Sequence, residues 1–148
     1  MEVLVAEFQC SKVYYIEPFK LGKIVWNGAP DHHEFRKPFK ALLNFAEKNP
    51  VENFLSDVRQ QGVVSDESRI WFENQALPEA REAGLKRGAI VTNDNVFKMK
   101  YTSFILLVTN RFQIPVKLFP NQFKAEKWLI ENLLLEISTK EDSNKLVI

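Results

Sequence analysis

From Val3 to Cys10 the chain alternates: Leu4, Ala6, Phe8 and Cys10 fall on one face, with Glu7 and Gln9 opposite. That is the period of a half-buried strand. Val13 to Ile16 is β-branched and aromatic and reads as strand, either continuing the first or following it. Pro18 and Gly22 mark a turn over Glu17 to Gly22, and Lys23 to Trp26 forms a third strand closed by Asn27-Gly28. These segments predict a meander of antiparallel strands.

The period then changes. Asp31 with Glu34 three residues later makes a capping box, and Phe35, Phe39, Leu42, Leu43 and Ala46 follow at helical spacing. Pro38 removes a hydrogen bond inside that pattern, so the helix either kinks there or begins near Pro38 after a short first turn. Asn49-Pro50 ends it. Phe54 to Val58 is a short strand. Ser65 caps a helix from Asp66, with Ile70, Trp71 and Leu77 among its apolar positions. Pro78 suits the first turn of a second helical piece, Glu79 to Ala83, and Gly84 supplies a left-handed stop. Ala89 to Thr92 is a buried strand. Asn93 or Asp94 caps a helix that turns Phe97, Tyr101, Phe104, Ile105 and Val108 inward. Val116 to Phe119 is a strand, and Asn121 caps a last helix striped by Ala125, Trp128, Leu129 and Leu133.

The order is three strands, then three helix–strand units, then a helix. Strands alternating with helices call for parallel pairings and right-handed crossovers. The expected fold is α/β, with a mixed, mostly parallel sheet, a leading antiparallel meander and helices packed on it. Residues 1–137 form one domain in this reading, and 138–148 a polar C-terminal tail.

Composition narrows the function classes. The chain has 148 residues, 45% of them hydrophobic, which suits one globular domain with a full core. A net charge of +1 gives no argument for nucleic acid as partner. Twelve Phe and three Trp make the core aromatic-heavy. Neither a long apolar stretch nor a secretory pattern is present, so no integral membrane segment is expected. Cys10 reads as a half-buried strand residue rather than a nucleophile. A reducing, cytoplasmic setting follows.

The sequence contains none of the common metal, nucleotide or nucleophile motifs, so no metal, cofactor or catalytic residue is expected. His32-His33 reads as surface residues in a first helical turn, because neighbours on a helix diverge too far to share a metal. Lys86-Arg87 reads as a solvated loop, with an anion patch as the alternative. Trp71 reads as core, or as a face toward a pocket or partner. The more informative place is the carboxyl edge of the parallel strands, where open α/β sheets bind ligands. Asp57, Thr92 and Phe119 should end there side by side, and the helices capped by Ser65, Asn93 or Asp94, and Asn121 should open onto it. Arg59 would favour an anionic group, unless Asp57 pairs with it and the two only tie the loop down.

The run Phe54-Leu55-Ser56-Asp57-Val58-Arg59, then Trp71, Pro78, Ala83 to Val91, Phe119 and Ala125 to Leu129, resembles bacterial STAS-like proteins. Trp26-Asn27-Gly28 and Phe35-Arg36 upstream fit as well, so the resemblance spans roughly Val13 to Leu135. It points to the anti-sigma factor antagonist domains and, more distantly, to the CRAL-TRIO lipid-carrier fold. It implies a non-enzymatic regulatory domain that binds a protein partner, compatible with a homodimer. A carrier of a small hydrophobic or anionic ligand is the alternative. Antagonists of this kind carry a phosphorylatable serine at the start of the helix after the middle strand. Here that region reads Val64-Ser65-Asp66-Glu67-Ser68, without the glycine of the motif and with an acidic residue at the aligned position. Taking the strand edge, Trp71 and this serine segment together, the binding residues expected are Asp57, Arg59, Ser65, Ser68, Trp71, Asn93 and Asp94.

Overall fold

The computed structural model describes the backbone of residues 2–93 and 96–146, and the side chains of 2–93 and 102–141. Strands β1 (Glu2–Phe8), β2 (Ser11–Ile16) and β3 (Leu21–Trp26) form the antiparallel meander. Strands β4 (Asn53–Asp57), β5 (Arg87–Val91) and β6 (Val116–Phe119) extend it in parallel. All six lie in sequence order across one sheet. Helix α1 (His32–Ala46) links β3 to β4, and α4 (Val96–Arg111) links β5 to β6. Between β4 and β5 run α2 (Asp66–Trp71), a π turn (Phe72–Ala76) and α3 (Leu77–Glu82). Helix α5 (Gln122–Leu146) follows β6. This is the mixed α/β architecture that the alternating periods predict.

Three crossovers of one hand, each stepping the same way, put their helices on one face. Val13, Tyr15, Ile24, Trp26 and Ile90 meet α1 to α4 there. An aromatic group fills the middle: Trp26 stacks on Phe35 with ring centroids 5.3 Å apart, and Phe39 touches Phe72 at 5.6 Å and Trp71 at 5.9 Å. The Trp26 indole N–H, which must find a partner when buried, donates to Ser56 Oγ at 3.1 Å. The opposite face is left to α5, whose Ala125 and Leu129 cover Leu21, Leu55, Ala89 and Val91.

Several expectations need correction. Leu4 and Ala6 do not share a face: a bulge at Val5 lets Leu4 pair with Tyr14 but Ala6 with Val13, which reverses the alternation and leaves Leu4 half exposed. Cys10 is buried in the turn between β1 and β2, not on a strand. Helix α1 starts at His32 and runs through Pro38, whose ring is buried. Ile70 is exposed, because the face of α2 that meets the core carries Ser68 and Trp71 instead. Arg87 is no loop cation. It opens β5 fully buried, donating to Asn53 Oδ1 at 2.5 Å and pairing with Glu136 of α5. Helix α5 continues past Ser138 to Leu146, with residues 138–141 exposed, so the polar end is a helical extension there. Phe97 and Tyr101 lie outside the described side chains.

Candidate functional site

The three parallel strands do finish side by side. Val58 N–H donates to Val91 O at 2.9 Å, and Thr92 N–H to Phe119 O at 3.0 Å. At this edge Asp57, the last residue of β4, is almost wholly buried and highly connected. Its carboxylate accepts from Arg59 Nε at 3.0 Å, Arg59 Nη2 at 2.7 Å, the Arg59 backbone N–H at 3.2 Å and Gln122 Nε2 at 2.8 Å. Gln122 is brought here by α5, which Asn121 starts by accepting from Lys124 N–H at 2.9 Å. Asn93 Nδ2 donates to the Arg59 carbonyl at 3.4 Å, tying the β5 end to the same loop.

The network runs on across the sheet. Gln122 Oε1 accepts from Lys23 Nζ at 3.0 Å, and Lys23 also binds Glu126 at 3.1 Å and pairs with Glu2. The ammonium lies 5.6 Å from the Tyr14 ring centroid. Lys23 sits in mid-strand and is 4% exposed, an expensive place for a charge unless it is paired. Burial by itself pushes the Lys23 pKa down, but hydrogen bonds and charge from Glu126 and Glu2 outweigh it and leave the net shift upward. Burial likewise pushes Asp57 up. The bonds from Arg59 and Gln122 outweigh it and hold the carboxyl below its ordinary range. Asp57 is therefore a fixed anion at neutral pH, locked by its neighbours, and a poor proton acceptor.

A second cluster forms where α2 begins. Ser65 Oγ accepts from Ser68 N–H at 3.1 Å and donates to Ser68 Oγ at 3.1 Å. Ser68 is fully buried and bonds His32 Nδ1 at 3.0 Å, while His32 Nε2 lies 3.7 Å from Glu67. His32 thus joins the start of α1 to the start of α2, with its ring edge-on to Trp71 at 6.4 Å. The sequence placed it in solvent, because nothing local marks a contact across 36 residues.

Of the expected binding residues, Asp57, Arg59 and Asn93 come together at the strand edge, and Ser65 and Ser68 at the start of α2. Trp71 belongs to the aromatic core, with Phe35 at 6.2 Å and Phe39 at 5.9 Å, so its buried ring offers no face to a partner. Asp94 lies outside the described residues. The sequence reading missed His32, Gln122 and Lys23, all of which act through partners distant in the chain. Among the described residues no group of three or more His, Cys, Asp or Glu is placed to hold a metal ion, and no helix is long and apolar enough to cross a membrane.

The segment leading into α2 is pinned at both ends. Gly28 N–H donates to Gln60 O and Gly62 N–H to Gly28 O, both at 2.8 Å. Gly62 approaches so closely that an added Cβ would stand 2.7 Å from Ala29 Cβ. Past this anchor Val63 is 69% exposed, and within α2 Ile70 is 57% exposed, with the acidic Asp66 and Glu67 also in solvent.

No family model matches the chain, and no curated protein does. Among solved structures it is similar to an uncharacterised protein of the DUF3478 family with a SpoIIAA-like fold from Shewanella loihica. The match has 17% identity and a TM-score of 0.57, and covers 86% of this chain and 99% of that one. The chain therefore has a SpoIIAA-like, that is STAS-like, fold.

Proposed function

Proceeding from this SpoIIAA-like fold, we propose that the protein is a non-catalytic regulatory domain that presents the Val63–Ile70 segment to a protein partner. One observation carries the reading: two large apolar side chains, Val63 and Ile70, stand in solvent on a segment held rigid by Gly28, by the Ser65 cap and by His32. A pre-ordered surface binds without the cost of ordering a loop, and exposed apolar groups beside charged ones are the usual makings of an interface. The strand edge next to it argues against chemistry. Its carboxylate is committed to Arg59 and Gln122, and Lys23 to Glu2 and Glu126, which suits a scaffold rather than an acid–base pair.

A photo-crosslinking amino acid placed at position 63 or 70 in cells of the source organism tests this. The expected result is a discrete adduct with one protein, absent when the label stands at Leu107, an equally exposed position on α4. Val63→Asp and Ile70→Asp should abolish the adduct formed from the other labelled position without lowering stability by more than about 0.5 kcal/mol. The same set of adducts from positions 63, 70 and 107 would refute the proposal.

A further inference from the structure

We propose that the outward face of α5 is an interface with a second copy of this chain, the two helices crossing antiparallel about a two-fold axis at Leu134. Four of the ten large apolar side chains exposed among the described residues, Phe123, Leu134, Leu135 and Ile137, belong to this one helix. Its inner side is already taken up by the sheet through Ala125 and Leu129. A surface helix in water normally carries one apolar stripe, turned to the core, with polar residues opposite. A second apolar side calls for a second cover.

Charge decides what that cover is. Lys127, Leu134 and Glu141 follow one another at seven-residue intervals, so they lie nearly on one line along the helix, about 10 Å apart. All three are exposed. The line reads cation, apolar group, anion, and it is complementary to itself when reversed. A two-fold axis at Leu134 sets this residue against its own copy and brings each Lys127 to the partner's Glu141, so the ion pair is made twice. Parallel helices would instead set lysine on lysine and glutamate on glutamate. Reversal also places opposite dipole ends together. Within one chain Lys127 reaches Glu131 at 4.0 Å, an exposed pair worth little in water. Lys124 and Lys140 leave the helix about 80° and 120° away from Leu134, clear of the line.

One helix crossing another makes an interface at the small end of the range, so the pairing is reversible and micromolar rather than permanent. Trp71 packs with the core on the sheet face opposite α5, which places α2 there. The pairing therefore covers neither copy of the Val63–Ile70 segment, and the inference stands whether or not that segment docks a protein. Where it does, the dimer holds two such segments turned away from each other, and a partner with two sites gains avidity.

Sedimentation velocity of the full chain, over a concentration series up to about 1 mM, tests the pairing. A monomer–dimer equilibrium with a micromolar Kd is expected. Leu134→Asp should leave the protein monomeric throughout the series. Its melting temperature at low concentration should not change, because the side chain is 57% exposed. Leu107→Asp, on α4, should leave the dimer as it was. Lys127→Glu should raise the dimer Kd about tenfold, and so should Glu141→Lys, while the two together restore it. Neither parallel pairing nor an effect through Glu131 within one chain gives that rescue. A monomer at every concentration would overturn the proposal and leave the face to a different protein. A dimer untouched by Leu134→Asp, or a double variant no tighter than the single ones, would overturn it as well.

Discussion

Asp57→Asn isolates what the buried carboxylate contributes to the strand edge. The carboxylate accepts four bonds, three from Arg59 and one from Gln122. An asparagine that keeps its oxygen at the Oδ1 position turns its NH₂ toward Arg59 Nη2 and Gln122 Nε2, donor against donor. Gln122 has no free amide flip to relieve this, since its Oε1 already accepts from Lys23 at 3.0 Å. Two bonds to a charged acceptor are lost, each worth about 1.5–3 kcal/mol. The Arg59 side chain is 37% exposed, so water takes up part of its freed guanidinium and the cost falls below the sum. A loss of about 2–3 kcal/mol in urea unfolding at pH 7 is expected. The effect must also titrate. The folded pKa of Asp57 is depressed, so its contribution is complete above the unfolded value of about 3.9 and is lost as pH falls through the folded value. The gap between the two proteins should therefore shrink steadily as pH drops below about 4. A difference under about 0.5 kcal/mol at pH 7, or one unchanged at pH 2.5, would refute the reasoning.

Leu129→Ala, on the sheet-facing side of α5 and fully buried, should cost about 3–4 kcal/mol in urea unfolding, whereas Leu135→Ala on the exposed side should stay within about 0.5. Gly62→Ala should cost about 1–3 kcal/mol, because the new methyl meets the Ala29 backbone at 2.9 Å, and backbone does not rotate away. Gly84→Ala should cost about 1 kcal/mol from backbone strain alone, since φ is +115° and nothing lies within 4 Å of the added carbon. Chevron analysis of both glycine variants gives the values, and a stabilised Gly84→Ala protein would show that the left-handed stop is not required. Deleting residues 138–148 should move the melting temperature by no more than about 2 °C, checked by calorimetry.

What the sequence made legible was local. Asp31 caps α1 through Glu34 N–H at 2.8 Å, Ser65 caps α2, and Asn121 caps α5, each written within four residues of chain. Period two and period 3.6 separated strand from helix, and the hand of the crossovers set the strand edge at Asp57, Thr92 and Phe119. The Asp57–Arg59 pair was visible because its members are two residues apart. Other features depend on contacts that no local pattern encodes. Lys23 reads as one polar position in a strand, and its burial is explained by Glu2 on the edge strand and by Gln122 and Glu126, about a hundred residues on. The bulge at Val5 reverses a face without any turn residue to announce it. The π turn carries ordinary helix formers and lies between two segments that each read correctly as helix.

The order of the strands bears on how the chain is made. Each strand pairs with the one already synthesised, so the first face can build as the ribosome delivers it. The second face cannot. Leu21, Leu55, Ala89 and Val91 stay open until Ala125 and Leu129 emerge, roughly 35 residues after Val91, or several seconds at ordinary translation rates. During that interval an apolar sheet surface is available to other nascent chains. Lys23 stands in the middle of it with only Glu2 of β1 as its ion partner, and that charged pair discourages wrong sheet stacking until Gln122 and Glu126 arrive on the last helix to complete its bonds. One residue thereby guards the unfinished protein and then closes the finished one.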